Sequence, residues 1–270
     1  MKIGIICVGV NCLEYSKQTL DSIQTTHEYE IIFIDNGSTD GTKDWLTERK
    51  DIISYKNPIV SGLAACWNMG IKRAMADGCD LFLIINNDIT LAKNTIDNLV
   101  KRFEESDIIM ATGTNDQTIT PDEMRVLEKE YTENEPINSH PDFSCFMINK
   151  TCLDKVGFFD ENFRVAYFED NAYHADIALA GLGDKAISIV SATYYHLGSR
   201  TSKNNPHLAP IIEKAFVNNK KYFVNKYGCE PQGDVPNMIE KYYKNPFNYE
   251  KDTYKSFKEK KSTLDIDNLW

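Results

Sequence analysis

Residues 2–105 alternate short apolar runs with amphipathic stretches, and that alternation leaves few folds open to the chain. The pattern reads as strand Lys2–Val8, helix Leu13–Thr25, strand Glu30–Ile34, helix Thr39–Arg49, strand Ile52–Tyr55, helix Gly62–Asp77, strand Leu81–Ile85 and helix Ala92–Glu105. Strands alternating with helices at this spacing predict βαβ units around a mainly parallel sheet. The strand runs are almost continuously apolar, as a sheet covered by helices on both faces requires. The expected class is α/β, Rossmann-like, with helices flanking the sheet.

The pattern loosens after a further strand at Ile108–Ala111. Residues 113–140 are polar and carry Pro121 and Pro136, with Pro141 just beyond, which predicts an insertion or mobile loop. Apolar sequence returns at Phe143–Ile148, followed by a helix start at Lys150 and a turn at Gly157–Asp160. Further strands are expected at Phe163–Phe168, Ala186–Ile189 and Thr193–Tyr195, with a helix at Asn171–Ala180 between them. From Pro206 onward helices are expected, at Ile211–Tyr227 and Met238–Tyr243.

Composition narrows the classes. A hydrophobic content of 42% supports a real core. A formal charge of -10 disfavours a surface that coats nucleic acid, leaving a local basic patch as the one route to such a partner. The Lys- and aromatic-rich stretch Lys241–Lys261 is the one such region; it reads as solvated helix faces or as a contact for an acceptor or a membrane surface. The seven cysteines form no C-x-x-C pair and their count is odd, which argues for buried thiols rather than a disulfide framework. No run approaches the roughly 18–20 apolar residues that span a bilayer. A cytoplasmic protein is expected, at most peripheral at the inner membrane face.

Several polar groups fall at strand ends, where open α/β sheets bind ligands. In Ile31–Thr42 (IIFIDNGSTDGT), Asp35 follows an apolar strand, Gly37 permits a tight turn, and Ser38 or Thr39 can cap the next helix. The same segment suits a plain strand-to-helix turn, but Asp35 is also a good acceptor for a base N–H or a ribose hydroxyl. Asn86, Asn87 and Asp88 carry the next strand into a loop, with Asp88 bringing the full charge that a hard cation needs. Glu169 and Asp170 open a helix, where acids favour the N-terminal dipole. Gly62 starts a helix whose N–H groups can approach an anion. His196 ends the aromatic strand TYYH.

These segments, in this order, resemble the motifs of family 2 glycosyltransferases of the GT-A fold. IDNGSTDGT is similar to their I-D-N/D-G-S-x-D-G-T, Asn57–Ile71 to their N-x-G-x-x-x-x-x-N-x-G-I, and Leu81–Asp88 to the strand bearing their D-x-D. Phe143–Phe163 resembles their acceptor-side segment ending in G-x-F-D-E, Tyr167–Gly181 their E-D helix, and His196–Ser199 (HLGS) their late histidine motif. The resemblance implies a GT-A domain over residues 1–200, with a nucleotide-sugar-binding half at 1–112 and an acceptor-side half at 113–200. A helical C-terminal extension follows at 201–270.

The implied activity is inverting transfer of a sugar from a nucleotide diphosphate-sugar, with UDP favoured, to an acceptor hydroxyl on a glycan or surface polysaccharide. It implies donor contacts from Val10, Asn11, Asp35, Asn36, Gly62, Asn68, Asn86 and Asn87, and Mn²⁺ or Mg²⁺ on Asp88 and His196. Asp170 would be the general base, with Phe168, Glu169 and His174 on the acceptor side. Neutral imidazole is the metal-binding form, so activity is expected to fall as His196 protonates. Asn86 replaces the family's first aspartate. Trp67 stands where relatives often carry Arg, and reads as a core residue. After Asp170 the relatives' D-x-D-L-x-x-R is absent, and Asp176 lies near the usual basic position.

Two other classes remain: a sugar nucleotidyltransferase, which would carry a Gly- and Arg-rich loop with a Lys after the first strand, and a non-catalytic nucleotide-sugar-binding domain. A protein or a hydroxylated nucleic-acid base also remains open as acceptor. Oligomeric state is not legible.

Overall fold

The computed structural model describes residues 1–132, the main chain of 137–138, and residues 142–231. The expected helix Met238–Tyr243 and the basic stretch Lys241–Lys261 lie outside this range. Among the described residues nine strands form one sheet: β1 (Lys2–Gly9), β2 (Glu28–Asp35), β3 (Ile52–Lys56), β4 (Leu81–Asn86), β5 (Ile89–Leu91), β6 (Met110–Asn115), β7 (Ile137–Asn138), β8 (Cys145–Asn149) and β9 (Ala186–His196). Their order is β3-β2-β1-β4-β8-β6-β9-β5, with β7 also on β9. The β3-β2-β1-β4 half is parallel. β8 then runs antiparallel between β4 and β6.

The sheet is clothed on both faces, as the apolar strands require. Ile3, Ile5 and Cys7 of β1 face a core shared with α1 (Leu13–Asp21), α2 (Thr42–Glu48) and α4 (Thr95–Glu105). Ile6 faces the other core, built with α3 (Leu63–Ala76), α6 (Lys150–Val156) and α7 (Glu169–Leu179). Gly70 lets α3 lie close on β1: a Cβ there would fall 2.5 Å from Ile6 Cγ2. All seven cysteines are buried free thiols.

In the polar 113–140 segment, α5 (Pro121–Val126) is set by a Thr120–Glu123 capping box with proline in its first turn. The expected strand at Phe163–Phe168 is instead a run of bends. Val165, Tyr167 and Phe168 have φ of 62°, 82° and 72°, which an extended strand forbids. Ala186–Ile189 and Thr193–Tyr195 prove to be one strand, β9, accommodated by a register shift in β6 between Thr112 and Thr114.

After β9 come the short α8 (Arg200–Asn204) and the long α9 (Ala209–Tyr227), which ends at Gly228 with φ 71°. α9 lies against α7 through a third core that includes Phe163, Ala172, Ala175, Tyr222, Phe223 and Tyr227.

Candidate active site

The carboxyl ends of β1 and β4, the bends before α7 and the chain leaving β9 enclose a cavity of about 400 Å³. Val10, Asn36, Asn86, Asn87, Asp88, Phe168, Glu169, Asp170 and His196 all line it. Residues far apart in sequence meet there because the sheet brings them together.

The Asp88–His196 pair shows how. β5 begins immediately after Asp88 and pairs antiparallel with β9, placing Ile89 opposite His196. Leu197 N–H then donates to Asp88 O (3.0 Å). Asp88 Oδ1 lies 3.1 Å from His196 Nε2, and Asp88 Oδ2 accepts from the Arg200 amide (3.4 Å). Ser144 Oγ, 3.1 Å from Nδ1, fixes the other edge of the imidazole. A carboxylate oxygen and an imidazole nitrogen this far apart suit adjacent corners of an octahedral shell with bonds of about 2.1 Å. Among the described residues no group of three His, Cys, Asp or Glu forms a complete cage. Remaining positions would fall to ligand or water oxygens, the usual arrangement for Mg²⁺-type sites.

Asp170 enters from the other wall, in the first turn of α7, and accepts from the Asn171 amide (2.7 Å). Burial raises its carboxyl above the ordinary range, and the charge of Asp142 adds to the effect. Glu169 beside it is buried, with Oε2 unpartnered. Burial, then the charge of Asp170, pushes Glu169 well above the usual carboxyl range. Both carboxyls are thus raised by burial, Glu169 further by the charge of Asp170 beside it.

The remaining sequence-derived residues fall outside the cavity lining, for identifiable reasons. Asn68 is buried; its amide donates to Phe159 O and Glu161 Oε1 and accepts from the Phe159 N–H, pinning the turn after α6. Asn11 donates to Asn205 Oδ1 and accepts from Thr39 N. Gly62 caps α3. His174 is buried beside Phe143. Asp35 is fully buried at the end of β2; its Oδ1 accepts from Ser38 N, and Oδ2 has no hydrogen-bond partner. Gly37 makes this turn possible, with φ 88° and Ile59 C only 2.9 Å from where a Cβ would sit. Within the cavity, Asn36 braces the next loop through Ser61 and Asn57. Trp67 packs edge-on against Phe146 and Phe159, yet its ring also forms part of the cavity wall.

Several lining residues have no warning in the motifs: Asp142, Arg200, Leu208 and Ile212. For Arg200 the position directly after the histidine motif was the available signal.

The Glycosyl transferase family 2 model matches residues 5–168, more than half of the chain. The chain belongs to glycosyl transferase family 2. It is a glycosyltransferase of GT-A architecture. Over 211 residues it is 27% identical to the Escherichia coli UDP-Glc:alpha-D-GlcNAc-diphosphoundecaprenol beta-1,3-glucosyltransferase WfaP, covering 73% of this chain and 78% of that one. Its fold is similar to that of S. aureus TarS 1-349 in complex with UDP-GlcNAc, with a TM-score of 0.60 at 15% identity, over 95% of this chain and 70% of that one. It is similar also to the mannosyltransferase PcManGT from Pyrobaculum calidifontis in complex with GDP-Man and Mn²⁺, with a TM-score of 0.58 at 12% identity, over 99% and 82%. No described helix is long and apolar enough to cross a membrane.

Proposed function

We propose that this glycosyltransferase works by inversion, moving a sugar from a UDP-sugar to a hydroxyl of a glycan acceptor, in the cytoplasm or at the inner face of the membrane. The observation that carries the reading is one cavity holding the Asp88–His196 pair on one wall and Asp170, a carboxylate with a raised pKa, on the other. Residues 1–112 would hold the donor and 113–200 most of the acceptor side. A glucosyltransferase relative that uses UDP-Glc and a lipid-linked GlcNAc supports the donor and acceptor classes.

In this reading the acceptor oxygen attacks the anomeric carbon as the bond to the diphosphate breaks, and the hydroxyl proton passes to Asp170. A single displacement inverts the anomeric centre and releases the nucleoside diphosphate. Asp88 and His196 would hold Mn²⁺ or Mg²⁺, which when bound supplies charge neutralisation for the departing diphosphate. The exposed Tyr167 and Phe216, which pack together and against Phe168, form an aromatic ledge two residues from Glu169 and suit the apolar face of a sugar ring.

The test is a nucleotide-release and transfer assay over a panel of UDP-, GDP- and dTDP-sugars, with Mn²⁺ or EDTA. Wild type is expected to turn over with Mn²⁺, Asp88→Ala to lose the metal response, and Asp170→Asn to fall by about 10²–10⁴-fold. Full activity in both variants would sink the assignment.

A further inference from the structure

The cavity wall is acidic, with Asp88, Asp142, Glu169 and Asp170 all reaching it. Arg200 is the one lysine or arginine among the described lining residues. A diphosphate brought into such a site meets repulsion unless cations accompany it.

Arg200 is held there with its buried Nε uncommitted. Gly198 (φ 70°) and Ser199 (φ 57°) turn the chain back after β9, so that α8 begins at Arg200. The far end of this strap is anchored by Asn205, whose amide donates to Val10 O (3.1 Å) and accepts from Asn11 Nδ2 (2.5 Å). The main-chain N–H of Arg200 bonds to Asp88 Oδ2, fixing its Cα beside the Asp88–His196 pair. Its side chain extends past Tyr15, with the guanidinium carbon 5.7 Å from the ring centre, and its buried Nε has no hydrogen-bond partner. A buried guanidinium donor without an acceptor is unfavourable and marks a place for one. Trp67 of α3 also lines the cavity and brings no charge.

We propose that Arg200 is the cationic ligand of the donor's diphosphate in this chain, supplying from the strap after β9 the charge that α3 lacks at Trp67. The inference rests on the nucleotide-sugar reading of the cavity. A guanidinium fork suits phosphate oxygens, and lysine would replace its charge but not its paired donors.

The test is calorimetric titration of the full chain with UDP, GDP, dTDP and inorganic pyrophosphate, each with Mn²⁺ and with EDTA, and with the matching nucleosides. The variants are Arg200→Met and Arg200→Lys, with melting curves recorded for each. Wild type is expected to bind at least one nucleoside diphosphate. Arg200→Met should weaken that binding about tenfold or more in both conditions, with nucleoside affinity unchanged, and Arg200→Lys should fall between. If Arg200→Met misfolds, the intermediate affinity of Arg200→Lys is the deciding result. Wild-type affinity for the diphosphates in folded Arg200→Met or Arg200→Lys overturns this inference alone. A wild type that binds none of the diphosphates overturns the donor-site reading and this inference with it.

Discussion

As the proposed base, Asp170 has to be an anion in a place that disfavours anions. Burial raises its carboxyl, and Asp142 across the cavity raises it further. Only the ionised form can accept a proton, so activity is lost as pH falls through this raised value, giving an acid limb above the ordinary aspartate range near 4. Asp142→Asn removes one source of repulsion, so the limb in a kcat/KM–pH profile is expected to move to lower pH; an unmoved limb would mean that Asp142 is electrostatically remote. At this scale the charged groups were legible: Asp88, Asp170 and His196 sit at strand or helix ends inside ordered motifs. Of the amides, Asn36, Asn86 and Asn87 line the cavity and Asn68 and Asn11 do not. Asn68 and Asn11 look like ligand contacts in sequence, but an amide bonds whatever its tertiary neighbours offer, here the turn at Phe159 and the side chain of Asn205.

Among the elements, α9 has the least expected role. Its Lys226 is nearly buried and bridges Asp160 (3.1 Å) and Asp176 (3.2 Å), with Tyr222 and Tyr227 donating to the same two carboxylates. Asp176 of α7 is thus engaged by a base from a different helix. Lys226→Met leaves two carboxylates with their counter-charge removed and is expected to cost about 3 kcal/mol in urea denaturation. A cost below about 1 kcal/mol would show that water screens the cluster. The parallel strands and their helices were readable because apolar periodicity carries that signal. β5 was missed because three residues are too few for a period. The false strand at Phe163–Phe168 had suitable composition, and its actual bends are imposed by α9, which no local pattern encodes.

The whole molecule depends on pairings between distant segments. The β5–β9 register holds Asp88 to His196, and the third core joins residues beyond 200 to α7. A chain cut after residue 200 would expose Phe163, Ala172 and Ala175 and strip away Arg200's helix. It is expected to be insoluble or to melt without a cooperative transition by circular dichroism; a cooperative melt like the full chain's would show that α9 is dispensable. The same dependence has another side. Asn219, fully buried on α9, accepts from Arg164 N and donates to the carbonyls of Arg164, Ala166 and Tyr167. Each of these contacts is to main chain, so the bend is gripped without reference to what its residues are. The segment beside the cavity therefore works like a tool holder: if the proposed function holds, side chains at positions 166 and 167 can be exchanged, by evolution or by a library, to retune acceptor choice while Asp170 keeps its place.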